Sequence, residues 1–159
     1  IIHPVGSENL DHIMPQDVIK LILKHIKRGE TYTESSGESV IGFHKMMRKN
    51  EENRNIVVPH ERREIAFIKE AGDEDMKKKN IDDALEIGFK NTSKHLYEQL
   101  TEIKEKQEGF QSYDTKSVYE KLGTFKKEGT EDKIIMKRFK HANLRQTLSD
   151  NDKAIISTL

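Results

Sequence analysis

Apolar residues recur along this chain at helical spacing. Val18, Ile19, Ile22, Leu23 and Ile26 form the i, i+1, i+4, i+5, i+8 stripe of one helix face. Pro15 suits the first turn, where the amide hydrogen it lacks would have no partner, and Asp17 sits at the positive end of the helix dipole. A helix is predicted from about Pro15 to Lys27 and a second from about Glu38 to Asn50. A polar stretch over 50–55 predicts a loop, and the β-branched run Ile56-Val57-Val58, stopped by Pro59, predicts a linker or a single short strand. A third helix is predicted over His60–Ala71, carrying Ile65, Phe67 and Ile68, with Gly72 as its C-terminal stop. In Asp73–Asn80 acids precede lysines, the order that suits a short helix or the start of a longer one.

The longest helix is predicted over Ile81–Lys106. Its stripe is Ile81, Ala84, Leu85, Gly88, Phe89, Leu96, Leu100 and Ile103, and Glu86–Lys90 and Glu102–Lys106 are favourable i,i+4 pairs. Asp114 or Thr115 can cap a helix bearing Val118, Tyr119, Leu122 and Phe125. Thr130 can cap a last long helix with Ile134, Ile135, Phe139, Ala142 and Leu148, and Ser149 a terminal turn through Ile155 and Ile156. The pattern predicts an all-α fold, a multi-helix bundle with a helical unit at 1–58 and a C-terminal bundle at 59–159. Residues from Ile81 onward are expected to fold as a unit of their own.

Met14, Pro15, Asp17, Val18, Ile19, Ile22, Leu23 and Ile26 resemble, in order, the opening of the F-box, whose first helix follows Leu-Pro-x-Glu-Leu-Leu-x-x-Ile-Leu-x-x-Leu. Phe43, Lys45, Met47 and Arg48 would occupy the places of that family's Val-Cys-Lys-x-Trp-like stretch and its following basic residue. The resemblance covers about Ile13 to Lys49. It departs from the family in a long polar connection at 27–37, in lacking a leucine-rich middle helix, and in having no Trp. It implies an F-box-like N-terminal unit docking on a Skp-type adaptor of a cullin ubiquitin ligase through Met14, Pro15, Val18, Ile19, Ile22 and Leu23. The C-terminal bundle would then recruit a target protein. The alternative is a helical scaffold or binding domain with no ubiquitin-ligase role.

Charge narrows the partners. The 28 basic residues among 159 balance 28 acidic ones, which disfavours general binding to nucleic acid or anionic membrane. Lys133, Lys137, Arg138, Lys140, His141 and Arg145 gather on the last helix. They read as a solvated face with weak, salt-sensitive attraction to polyanions. Lys77-Lys78-Lys79 reads as a solvated helix end. The absence of cysteine excludes disulfides, thiolate metal sites and cysteine nucleophiles, and fits a cytoplasmic protein. A bacterial effector working in a host cytosol also fits this lysine-rich composition. No apolar run reaches the roughly 20 residues of a membrane span. The chain starts at Ile1 rather than Met and is expected to be a fragment, so a catalytic domain could lie outside it.

Candidate chemistry is sparse. None of the seven histidines lies three or four residues from another. His60-Glu61-Arg62-Arg63-Glu64 begins like a zinc-protease motif but has Glu64 where the second histidine belongs. The glycines at 29, 37 and 42 do not match a phosphate-binding loop. The reading is a non-enzymatic interaction protein with no cofactor and no metal.

Overall fold

The computed structural model describes residues 1–27, 32–106 and 130–144. They form four α-helices, α1 (Pro15–Lys27), α2 (Tyr32–Arg48), α3 (Ile81–Lys106) and α4 (Thr130–Ala142). Between α2 and α3 lie a single 3-10 turn (Glu51–Asn53) and three strands, β1 (Ile56–Val57), β2 (Ile65–Ile68) and β3 (Lys77–Asn80). The strands make one antiparallel sheet in the order β1-β2-β3. The fold is therefore mixed α and β. This corrects the all-α class and the helical bundle expected from the sequence.

The correction has a physical source in Ile65-Ala66-Phe67-Ile68. These residues satisfy a helical stripe, but their side chains alternate between the two faces of a strand. Ala66 and Ile68 enter the main core, and Phe67 points to the opposite face with Ile2, Val57 and Met76. Ile56 and Val58 also face the main core, while Val57 faces away, so β1 keeps the same alternation. The lysine run is an edge strand rather than a helix end. Lys77 pairs with Glu70 at 2.7 Å and Asp73 at 3.2 Å, and Lys79 with Glu70 at 3.1 Å. The acids-then-lysines order is thus satisfied across the turn between β2 and β3. Gly72 occupies that turn with φ +89°, a left-handed conformation that glycine adopts without strain.

The helices follow the stripes more closely. In α1, Asp17 Oδ2 accepts from the Met14 amide at 3.2 Å, the reciprocal half of a capping box. Helix α2 starts at Tyr32, earlier than the stripe indicated, and ends at Arg48. Asn80 caps α3, its Oδ1 accepting from the Asp82 amide at 2.9 Å. Every residue of the expected α3 stripe is buried, and Glu86 and Lys90 pair at 3.1 Å. In α4, Ile135, Phe139 and Ala142 are buried, whereas Ile134 is exposed. The helix expected near Val118, the turn near Ile155, Leu148, Arg145 and the side chain of Lys106 lie outside the described residues.

Helix α2 is central, packing against α1, α3 and α4, while α3 crosses one face of the sheet. One core cluster joins Val18 and Ile22 of α1, Phe43 and Met47 of α2, Leu85 and Leu96 of α3 and Phe139 of α4. The N-terminal arm borders the sheet's other face. The Val5 amide donates to Lys69 O at 2.8 Å, and Lys69 Nζ donates to Ile2 O at 2.8 Å.

Two helical glycines mark close approaches of different consequence. A Cβ at position 88 would lie 2.2 Å from Ile56 Cδ1 and 3.4 Å from Phe139, both in the closed core. One at position 42 would lie 2.4 Å from Leu21 Cδ1, on a half-buried side chain that can swing outward. Alanine in a helix interior is worth up to about 1 kcal/mol over glycine, whereas overpacking a core costs about 1–3 kcal/mol. Gly88→Ala is expected to lower the urea midpoint and Gly42→Ala to leave it unchanged or raise it. Equal midpoints for the two variants would contradict this packing.

Candidate functional site

The most deeply buried ionisable groups serve the fold. His44 is fully buried between α3 and α4. Its Nε2 lies 2.8 Å from Asn143 Oδ1 and its Nδ1 lies 2.9 Å from Thr92 Oγ1. Asn143 Nδ2 donates to Phe139 O, so Asn143 Oδ1 is the acceptor and His44 Nε2 carries the proton. The ring is then a neutral imidazole that accepts from the Thr92 hydroxyl. Desolvation, helped by the nearby Arg48 charge, holds its pKa down at about 3 against the opposing Asn143 bond. Phe139 stacks obliquely on it, with centroids 4.6 Å apart.

Glu8 forms the second buried cluster, in the segment before α1. Its Oε1 accepts from the Gly6 amide at 2.8 Å and His95 Nε2 at 3.0 Å. Its Oε2 accepts from Asn91 at 2.7 Å and Asn55 at 3.1 Å. Burial pushes the carboxyl pKa up, but the hydrogen bonds from His95 and Asn55 outweigh it and leave the pKa below its ordinary value. His44 is fully buried, and each Glu8 oxygen already accepts from two donors. Among the described residues no three His, Cys, Asp or Glu side chains converge to hold a metal ion, and no helix is long and apolar enough to cross a membrane.

The accessible chemistry lies on either side of α2. A groove of about 640 Å³ runs between α2 and α4, its described wall lined by Lys45, Arg48, Lys49, Arg54 and Arg138 with the carboxylate of Glu38. That carboxylate pairs with Arg138 at the rim, and His141, also on the wall, pairs with Glu61 at 3.3 Å. Arg48 is buried and donates to Ile56 O at 3.0 Å, and Arg54 Nε donates to Arg48 O at 2.8 Å. Lys45, in the last turn of α2, and Lys49, just past its end, are exposed and pair with no carboxylate among the described residues.

A second groove of about 330 Å³ lies between α1 and α2. Ile13, Leu21 and Met46 line it together with Lys20, Lys24 and Lys49. Lys49 therefore borders both grooves.

The six residues matching the F-box contact pattern divide. Val18 and Ile22 are buried in the protein's own core, Pro15, Ile19 and Leu23 are half-buried, and Met14 is exposed. They do not form one accessible apolar face. On α4, Lys133, Lys137, Arg138 and His141 are exposed and Lys140 is half-buried, its Nζ donating to Glu61 O. Sequence reasoning passed over Glu8, Asn55, Asn91, His95, Thr92 and Asn143. It took Lys45 and Arg48 as parts of the F-box resemblance. The usable signal was the i, i+3, i+4 spacing of Lys45, Arg48 and Lys49 on one helix.

No protein family, no curated protein and no solved structure matches this chain.

Proposed function

We propose that the chain is a non-enzymatic binding domain and that the groove between α2 and α4 takes an acidic segment of a protein partner. The observation that supports this reading is the pair Lys45 and Lys49 on that groove's wall, both exposed and without a carboxylate partner among the described residues, beside Arg48, Arg54 and Arg138, of which Arg54 pairs with Glu51 and Arg138 with Glu38. The buried ionisable groups offer no competing site, since His44 and Glu8 are enclosed by internal hydrogen bonds. A chain with no net charge but with basic residues gathered at this groove favours a local acidic ligand over the general attraction of a polyanion.

The test is fluorescence anisotropy with a labelled peptide of alternating Glu and Ser. Lys45→Glu with Lys49→Glu is expected to weaken binding about tenfold or more, a change of about 1.4 kcal/mol. Helicity should stay constant, because both lysines are exposed. Lys78→Glu with Lys94→Glu, an equal change of charge outside the groove, should have little effect. Equal weakening by the two pairs would reduce the groove to a net-charge effect and overturn the reading.

A second reading keeps α1 as a docking element for a Skp-type adaptor. It is favoured by the exposure of Met14 and the partial exposure of Ile19 and Leu23. It would require contacts at the edge of the helix, because Val18 and Ile22 are committed to the core. The same titration with a purified adaptor in place of the peptide decides it, and no binding at high micromolar concentration would overturn it.

A further inference from the structure

We infer that the partner segment continues past Lys49 into the groove between α1 and α2 and seats an apolar side chain there. The ligand class is then an extended acidic peptide with an aliphatic residue beside its acids. This inference rests on the acidic-segment reading of the first groove. It adds a second subsite and a specificity that charge alone would not give.

Three observations carry it. The two grooves share the Lys49 side chain, so a chain bound to Lys45 and Lys49 has a continuous route onward. The second groove is aliphatic in its middle and cationic at its edge. Leu21 and Met46 are only half-buried, and Lys20 and Lys24 stand exposed one turn apart on α1. Its remaining polar groups are already engaged. Asp17 Oδ2 accepts from the Met14 amide at 3.2 Å, and His12 Nε2 lies 2.7 Å from Met46 O.

That arrangement repeats the Lys45–Lys49 spacing on the neighbouring helix α1, with Leu21 and Met46 in the same groove. Acids of an extended peptide can meet both lysine pairs while an intervening Leu or Met side chain covers Leu21 and Met46. Methionine suits this role because its unbranched thioether adapts to the shape of what it meets. A single-stranded nucleic acid fits less well. Such strands are held by stacking bases on aromatic rings, and among the described residues no Phe, Tyr or Trp lines either groove.

The experiment compares two labelled peptides on the full chain, one of alternating Glu and Ser, the other extended by a Leu flanked by Glu. Wild type is expected to bind the Leu-containing peptide about tenfold more tightly. Lys20→Glu with Lys24→Glu should remove that margin and leave the affinity for the Glu-Ser peptide within about twofold. Met46→Ser should also remove it. The lysine variant, altered only at exposed positions, keeps the test valid if Met46→Ser unfolds the protein. Equal wild-type affinities for the two peptides would overturn the second subsite. The first groove's role would survive that result if Lys45→Glu with Lys49→Glu still weakened both peptides. Tighter binding of an oligothymidylate than of either peptide, abolished by the same lysine reversals, would overturn the peptide class altogether.

Discussion

At pH 4.5 the protein is expected to be about 2.5 kcal/mol less stable to urea than at pH 7, because His44 stays neutral in the folded state while the unfolded chain takes up its proton. The folded pKa of about 3 lies below the ordinary value of 6.5. The unfolded chain therefore binds the extra proton in the interval between them. The stability His44 contributes is complete above pH 6.5 and is lost as pH falls towards 3. The slope approaches about 1.4 kcal/mol per pH unit within that window. Glu8 acts in the same direction, but only below its ordinary value of 4.5, so the interval from 6.5 to 4.5 isolates the histidine. Urea melts followed by circular dichroism at closely spaced pH values would measure the slope. His44→Gln should be less stable than wild type at pH 7 and nearly flat between pH 6.5 and 4.5. A wild-type slope unchanged in that variant would show that another group carries the pH dependence.

The second large effect is expected at Glu8. Glu8→Ala would leave the Asn55, Asn91 and His95 donors without their acceptor in partly or fully buried positions. Removing one partner from a buried charged hydrogen-bond cluster costs about 3–5 kcal/mol. Glu8→Gln should recover only part of this, since both carboxylate oxygens accept from two donors each and an amide offers one oxygen. The loss has a local signature as well. Glu8 links the N-terminal arm to α3, so the Val5 amide, which donates to Lys69 O, should exchange with deuterium faster in either variant. Wild-type exchange at Val5 together with full global stability would show that the arm is held without this carboxylate.

How far the sequence disclosed the fold differs by element. Helices α1 and α3 were legible because their stripes are long, α1's start being marked as well by Pro15 and Asp17, whereas the Asn80 cap of α3 was read as part of a preceding helical segment. Strands β2 and β3 were not. A four-residue run such as Ile65–Ile68 is too short for its period to be read, and its alternation emerges only once Phe67 and Ile68 have separate clusters to join. Lys77–Asn80 is mostly exposed, so it carried no apolar signal, and its charges suited a helix end and a hairpin edge equally. The first groove was half legible, its α2 lysines being visible at helical spacing while Arg54 and Arg138 arrive from remote parts of the chain. The buried polar clusters were illegible for the same reason. His44 and Asn143 are 99 residues apart, and nothing local marks either as the other's partner.

Asn143 also accepts the Val58 amide at 2.7 Å through its backbone carbonyl, so one residue at the end of α4 closes contacts to α2 and to the strand region together. During translation α1, α2, the sheet and α3 all leave the ribosome before it. Until α4 and Asn143 emerge, the His44 imidazole lacks Asn143 Oδ1 and the covering Phe139 ring, and the Val58 amide lacks its acceptor. The nascent core built by α1, α2, the sheet and α3 therefore stays open on its α4 side until that helix is made.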